Sequence, residues 1–279
     1  MYHSIGSKKT NKELRQDLYT HISIDSDSFE QQIAYLQKKG HTFISFDDIE
    51  NLDFNTIQKP TIIYFDDGFK DNLVNAKPIL EKYNVPATMF LVSGILDRTH
   101  MIWTILYKEA LSILGVSSED QIKKIENLKM GTEYNRVKEL SQYPLSEYSY
   151  LFDIFLNWDD VKRMENSVFR FGSHGVSHIR LTELAPEDFR HEILYSKERI
   201  EEKVGQKVTA FSFPYGRGNN ALVQSLNDVG YRFVVSQGKG INSVPSKNSK
   251  VHYFKNISPK PGESLMKFSL RLYLLNLRS

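Results

Sequence analysis

Six short runs rich in β-branched and aromatic residues, at 42–46, 61–65, 87–92, 167–171, 208–213 and 231–235, are separated by stretches of helical period. That alternation constrains the fold more than any other feature. Strands joined by helix-length crossovers pair in parallel, and a parallel sheet must be covered by those helices. Helices are predicted at 27–39, 72–83, 159–165, 186–204 and 220–229, the first with Phe29, Ile33 and Leu36 at helical spacing. The simplest arrangement is a closed α/β barrel.

Composition narrows the class. The 279 residues suit one barrel-sized unit, 1–279, and 40% apolar residues can fill a large core. A net charge of +2 makes no demand for a nucleic-acid partner. The absence of cysteine excludes disulfides and thiolate metal ligands. No apolar run is long enough to span a bilayer. The expectation is a cytoplasmic protein if Met1 is the true start, and an extracytoplasmic one if an upstream signal segment is missing.

The polar clusters fall at strand ends. Asp66 and Asp67 follow one strand, His174 and His178 another, and Pro214-Tyr215-Gly216 a third. In α/β barrels the C-terminal ends of the strands converge on the active site. An Asp and two His supply three ligands for a divalent metal and leave a position open for water, the pattern of a catalytic centre. The second Asp is then a spare carboxylate placed to act as a base. Each cluster alone has a plain reading. Asp66-Asp67-Gly68 could be a strand-ending turn with a helix cap, and the histidines could be surface residues. Their joint position favours a site.

These segments carry a resemblance to the polysaccharide deacetylases, the NodB-homology group also called carbohydrate esterase family 4. Phe65-Asp66-Asp67-Gly68-Phe69-Lys70-Asp71-Asn72 resembles the first motif of that family, and Asn84-Val85-Pro86-Ala87-Thr88-Met89-Phe90 its usual sequel. Asn157-Trp158-Asp159-Asp160 leading into Phe171-Gly172-Ser173-His174-Gly175-Val176-Ser177-His178 resembles the second, and Phe211-Ser212-Phe213-Pro214-Tyr215-Gly216 the third. The opening Met1-Tyr2-His3-Ser4-Ile5 is similar to a subgroup with an N-terminal Tyr-His motif.

The resemblance implies a distorted (β/α) TIM-like barrel that hydrolyses N-acetyl groups of a glycan or its precursor. It implies Asp66 as general base, with Asp67, His174 and His178 as metal ligands. The metal would be zinc, with cobalt or nickel also accepted by such donors. It also implies the backbone amide of Tyr215 as an oxyanion donor, with Pro214, Tyr215 and Gly216 along the substrate. A protonated acid must supply the departing nitrogen. His3 is the expected acid, and His252 the runner-up. The family's third motif normally opens with an Arg that tethers the base; Ser212 stands there instead, and Arg217 is the nearby cation to consider.

Two regions exceed the motifs. Residues 96–156, with Trp103, Tyr107, Tyr143, Tyr148 and Tyr150, are expected to form a helical insertion, either a layer on the barrel or a wall of the site. The tail 264–279, with Lys267, Arg271 and Arg278, is expected to be a terminal helix closing the barrel, the alternative being weak membrane-surface contact. Trp158 is expected to pack rather than stack on a sugar. The competing functions are another amide hydrolysis, such as deformylation or opening of a small cyclic amide, and a non-catalytic carbohydrate-binding role.

Overall fold

The computed structural model describes residues 1–6, 15–165, 167–236, 238, 242–243 and 251–276. The chain opens with β1 (Ser4–Gly6), β2 (Ser23–Asp25) and α1 (Ser26–Lys38), then β3 (Thr42–Ile44) and β4 (Pro60–Phe65). A π-helical turn, Asn72–Ala76, leads into α2 (Lys77–Lys82), followed by β5 (Ala87–Leu91) and α3 (Ser93–Leu96). The insertion holds α4 (Trp103–Ile113), α5 (Ser118–Met130), α6 (Glu133–Leu140) and a 3-10 segment, Leu145–Ile154. After it come α7 (Trp158–Met164), β6 (Phe169–Ser173), α8 (Pro186–Val204) and β7 (Ala210–Ser212). The chain continues through α9 (Asn220–Asp228), β8 (Phe233–Ser236), β9 (His252–Lys255) and α10 (Leu265–Asn276).

Local chemistry sets these boundaries. Asp25 caps α1 by accepting the Ser28 amide at 2.9 Å, and Asn157 and Asp160 form a reciprocal capping box on α7. The helix α8 starts with Pro at its first turn and stops at Gly205, whose φ of 66° ends it without strain. Every side chain of β5 is buried, as expected of a strand covered on both faces.

β3 to β9 form one sheet in chain order, each neighbouring pair parallel. The sheet is curled. Phe46, just past β3, lies 5.9 Å from the ring of Phe233 on β8 and 5.5 Å from Phe254 on β9. Rings from opposite margins of a flat sheet could not meet, so Ile44, Phe46, Tyr64, Phe90 and Phe233 fill the inside of a half-barrel. The larger core lies between the sheet's outer face and the helices, with Phe29, Ile33, Phe169, Ile193 and Phe211 at its centre.

The expected closed ring is therefore open along one side: no pairing joins β3 to β9 among the described residues. β3 pairs only with the first half of β4, and the N-terminal residues take the second half. The Tyr2 amide donates to the Tyr64 carbonyl at 2.9 Å, and the Asp66 amide donates to the Tyr2 carbonyl at 3.0 Å. Met1 N then donates to the Ile257 carbonyl, beyond β9, at 3.0 Å. The chain's first residues thus span the gap.

The insertion adds Ile105, Leu106, Ala110, Leu151 and Phe152 to the main core. The expected terminal helix is present as α10, which packs on α1 through Phe268 and Tyr35, 6.5 Å apart. Residues 277–279, including Arg278, lie outside the described residues. No helix among the described residues is long and apolar enough to cross a membrane.

Candidate active site

The three strand-end clusters converge. Asp66 and Asp67 directly follow β4, His174 follows β6, and a 3-10 turn, Pro214–Gly216, stands just beyond β7. Asp66, Asp67, His174, His178, Tyr215 and Gly216 line one cleft of about 420 Å³ together with His3, whereas Pro214, expected along the substrate, is buried behind the turn and does not. The ligand atoms of Asp67, His174 and His178 all lie within 4.8 Å of one another, and all three residues are buried.

The donor set fits a divalent cation. His174 Nδ1 lies 2.7 Å from the carbonyl oxygen of Ser212, an acceptor only, so that nitrogen carries the proton. In neutral His174 the Nε2 lone pair then faces Asp67 Oδ1 at 3.4 Å, with His178 Nε2 on the same oxygen at 3.2 Å. Acceptors aimed at one another in a buried place are costly unless a proton or a cation lies between them. Asp67 Oδ1 has no hydrogen-bond donor of its own.

Electrostatics separates the two carboxylates. Burial raises the Asp66 pKa, against the opposing pull of His174 and His3. Burial would raise Asp67 too, but His178 and His174 outweigh it and hold that carboxyl well below the usual range. Burial would lower His174, yet the Asp66 and Asp67 carboxylates raise it. Adjacent carboxylates whose proton affinities are pushed apart suit two different tasks: Asp67 stays charged, and Asp66 can take a proton.

The backbone here is strained. Asp67, His178 and Tyr215 have φ of 74°, 55° and 58°, a left-handed region that side chains normally avoid. Such conformations persist only where surrounding structure imposes them. For the histidine loop the restraint is visible. Glu192 on α8, 5% exposed, accepts the Val176 amide at 2.7 Å, the Ser177 amide at 3.1 Å and the Ser177 hydroxyl at 2.5 Å. From the other side, the Ser93 and Gly94 amides donate to the carbonyls of Gly175 and Val176 at 3.1 and 3.0 Å. Gly175 has φ of 83°, and a Cβ there would stand 2.9 Å from the Glu192 carboxylate. Only glycine passes this close.

His3 is held by its neighbours. Tyr2 is buried between Phe29 and Phe65, and its hydroxyl donates to Gln32 at 2.8 Å. Asn72 Nδ2 donates to the His3 carbonyl at 2.8 Å. Asp71 accepts the Ser4 hydroxyl at 2.5 Å and the Ile5 amide at 3.2 Å. Tyr2 is the anchor and His3 the residue left facing the cleft. His252 lies elsewhere: it is on β9, stacked on Phe233 at 5.7 Å, and does not line the cleft.

A family model for polysaccharide deacetylases matches residues 53–234. The chain belongs to the polysaccharide deacetylase family. These deacetylases include YxkH of Bacillus subtilis (strain 168), named for the same family, which is 22% identical over 267 residues, 95% of this chain and 71% of that protein. Among solved structures, the Streptococcus pyogenes deacetylase PplD, in complex with acetate, superposes with a TM-score of 0.67 at 21% identity. It covers 97% of this chain and 95% of PplD. A de-N-acetylase from Aggregatibacter actinomycetemcomitans gives 0.65 at 17% identity, over 97% of both chains. At such identity the superpositions establish the fold, a half-barrel of the distorted TIM-like type, and the family makes the chain a carbohydrate deacetylase and hydrolase.

Within this deacetylase, Ser212 stands where the motif Arg was expected, and its hydroxyl lies beside Asp66, lowering that group's proton affinity. The side chains that pull on Asp66 are His174 and His3; Arg217 is exposed on the rim and is not among them. Trp158 donates to Asp97 at 2.8 Å beneath the Arg199 guanidinium, a packing role away from the cleft. The insertion does contribute a wall: Ile102, Thr104, Ile105 and Lys129 line the cleft, whereas Tyr143, Tyr148 and Tyr150 do not. Sequence reasoning missed Glu192. Its signal was a charged residue on the apolar stripe Phe189, Ile193, Ile200 of α8.

Proposed function

We infer that this protein is a metal-dependent N-deacetylase acting on amino sugars of a glycan or glycan precursor. The observation that carries the reading is the buried Asp67–His174–His178 group opening into the cleft that Asp66 and His3 also line. Those three residues would hold the cation, zinc being the first choice for an Asp and two His, with cobalt or nickel compatible with the same donors. When bound, it supplies the Lewis acidity that polarises an acetyl carbonyl and makes a water easier to deprotonate.

The chain's own groups do the rest. Asp66, pushed toward higher proton affinity by burial, takes the proton of the attacking water. The backbone amide of Tyr215, on the strained turn at the cleft wall, donates to the oxyanion. His3 delivers a proton to the departing sugar nitrogen, since an amide nitrogen leaves only once protonated. His174 is kept in one tautomer by Ser212 throughout. The test is acetate release from N-acetylglucosamine oligomers by the zinc-loaded protein, with Asp66→Asn as the control. Release that disappears in the variant supports the assignment. Release unchanged in Asp66→Asn removes Asp66 as base, and no release despite bound metal would turn the search to another amide.

A further inference from the structure

The walls of the cleft are charged in one sense. Lys129, Arg180 and Arg217 line it, and among the described residues Asp66 and Asp67 are the only carboxylates that do. Both carboxylates are committed to the reaction centre. Lys129 and Arg180 have carboxylate partners, Glu126 at 2.8 Å and Glu183 at 3.1 Å, but neither partner lines the cleft. Arg180 is held in place, its guanidinium 5.6 Å over the Tyr215 ring and bonded to the Lys129 carbonyl. Arg217 is exposed and has no ion pair among the described residues. His21, on the same wall, registers the field: burial first, then Lys108 and Lys129, lower its proton affinity.

A neutral acetamido sugar gives no partner to Arg217, the one of these three cations without an ion pair among the described residues. Resting on the deacetylase reading, we propose that the cleft takes a glycan carrying an anionic group, phosphate or carboxylate, beside its acetamido sugar. Arg217 is the direct contact, and Arg180 and Lys129 supply the surrounding field. The same charges act on the product. Hydrolysis turns a neutral amide into a sugar ammonium and a free acetate ion, and like charge in the cleft disfavours rebinding of the ammonium-bearing stretches already deacetylated.

Titration calorimetry on zinc-loaded Asp66→Asn protein tests this without turnover. The probes are a neutral N-acetylglucosamine tetramer, the same tetramer bearing 6-phosphates, and an alternating N-acetylglucosamine–glucuronate tetrasaccharide. At least one anionic probe is expected to bind about tenfold tighter than the neutral one at low salt, an advantage that shrinks as ionic strength rises. Adding Arg217→Glu, at an exposed position where folding is not at stake, is expected to reduce that advantage about tenfold. Whichever anionic probe loses it identifies the group recognised. Equal affinities, a salt-independent advantage, indifference to Arg217→Glu, or no binding of any probe would overturn the proposal. Anion preference without acetate release in the parent protein would count against the deacetylase reading alone. Acetate release without anion preference would count against this proposal alone.

Discussion

The main-chain oxygen of Ser212 lies 2.7 Å from Nδ1 of His174, while the hydroxyl of the same residue stands beside Asp66. One residue thus orients a metal-ligand candidate through its backbone and tunes the base candidate through its side chain. Ser212→Ala removes only the second. Without that hydroxyl the proton affinity of Asp66 rises, so the acid limb of kcat/KM moves to higher pH. Bound zinc stays at parental stoichiometry. A pH–rate profile with metal analysis checks both, and an unmoved acid limb would separate Ser212 from Asp66.

Removing the acid is a sharper test. His3→Ala is expected to lower kcat about 100-fold with zinc retained, the usual scale for a positioned proton donor. His252→Ala, away from the cleft, should leave kcat within about twofold and act on stability through the lost stacking on Phe233. Steady-state kinetics on the pair decides between them; the opposite ranking would restore His252.

Glu192 reaches the metal ligands only through the loop it holds. Glu192→Gln keeps the shape but removes the charge that strengthens the bonds from the Val176 and Ser177 amides, and leaves an NH2 in place of the oxygen that accepts the Ser177 hydroxyl. Zinc affinity is expected to fall about 10- to 100-fold, as when partners of metal ligands are lost elsewhere. Competition against a chelator measures it. Parental affinity would show that the strap from Ser93 and Gly94 suffices.

Asp71 gives a pH prediction for stability. Burial raises its pKa to about 7, despite hydrogen bonds from Ser4, Ile5 and Gln16 that favour the charged form. The folded state therefore binds more protons than the unfolded one between about pH 4 and pH 7. Its contribution is fully present below that window and is lost as pH rises through about 7, on the order of 4 kcal/mol in all. Asp71→Asn is expected to flatten this slope and to be the more stable form at pH 8. Urea unfolding across the window reads it directly, and a slope retained in the variant would exonerate Asp71.

Much of this was legible in the chain, and the exceptions have physical causes. α8 announced both its ends through Pro186 and Gly205. β4 and the clusters at its end and at that of β6 were visible because apolar runs stop abruptly at Asp66 and just before His174. β2 and β9 were not read as strands. Ser23-Ile24-Asp25 is too short to show alternation, and Tyr253 of β9 is 46% exposed, so neither presents a continuous apolar run. The open side of the barrel was equally silent, because it depends on how β3 and Tyr2 share β4, a matter of register between distant segments. Glu192 shows the limit of local reading: its partners are 15 and 16 residues upstream.

The left-handed backbone at Asp67, His178 and Tyr215 has a consequence for anyone who evolves or redesigns this protein. At each of these positions glycine relieves a conformation that the native residue tolerates badly. A screen that rewards survival of heating, and nothing else, will therefore enrich glycine where the chemistry resides. Thermostable lineages would drift toward silence, one relaxed turn at a time, unless hydrolysis itself is kept under selection.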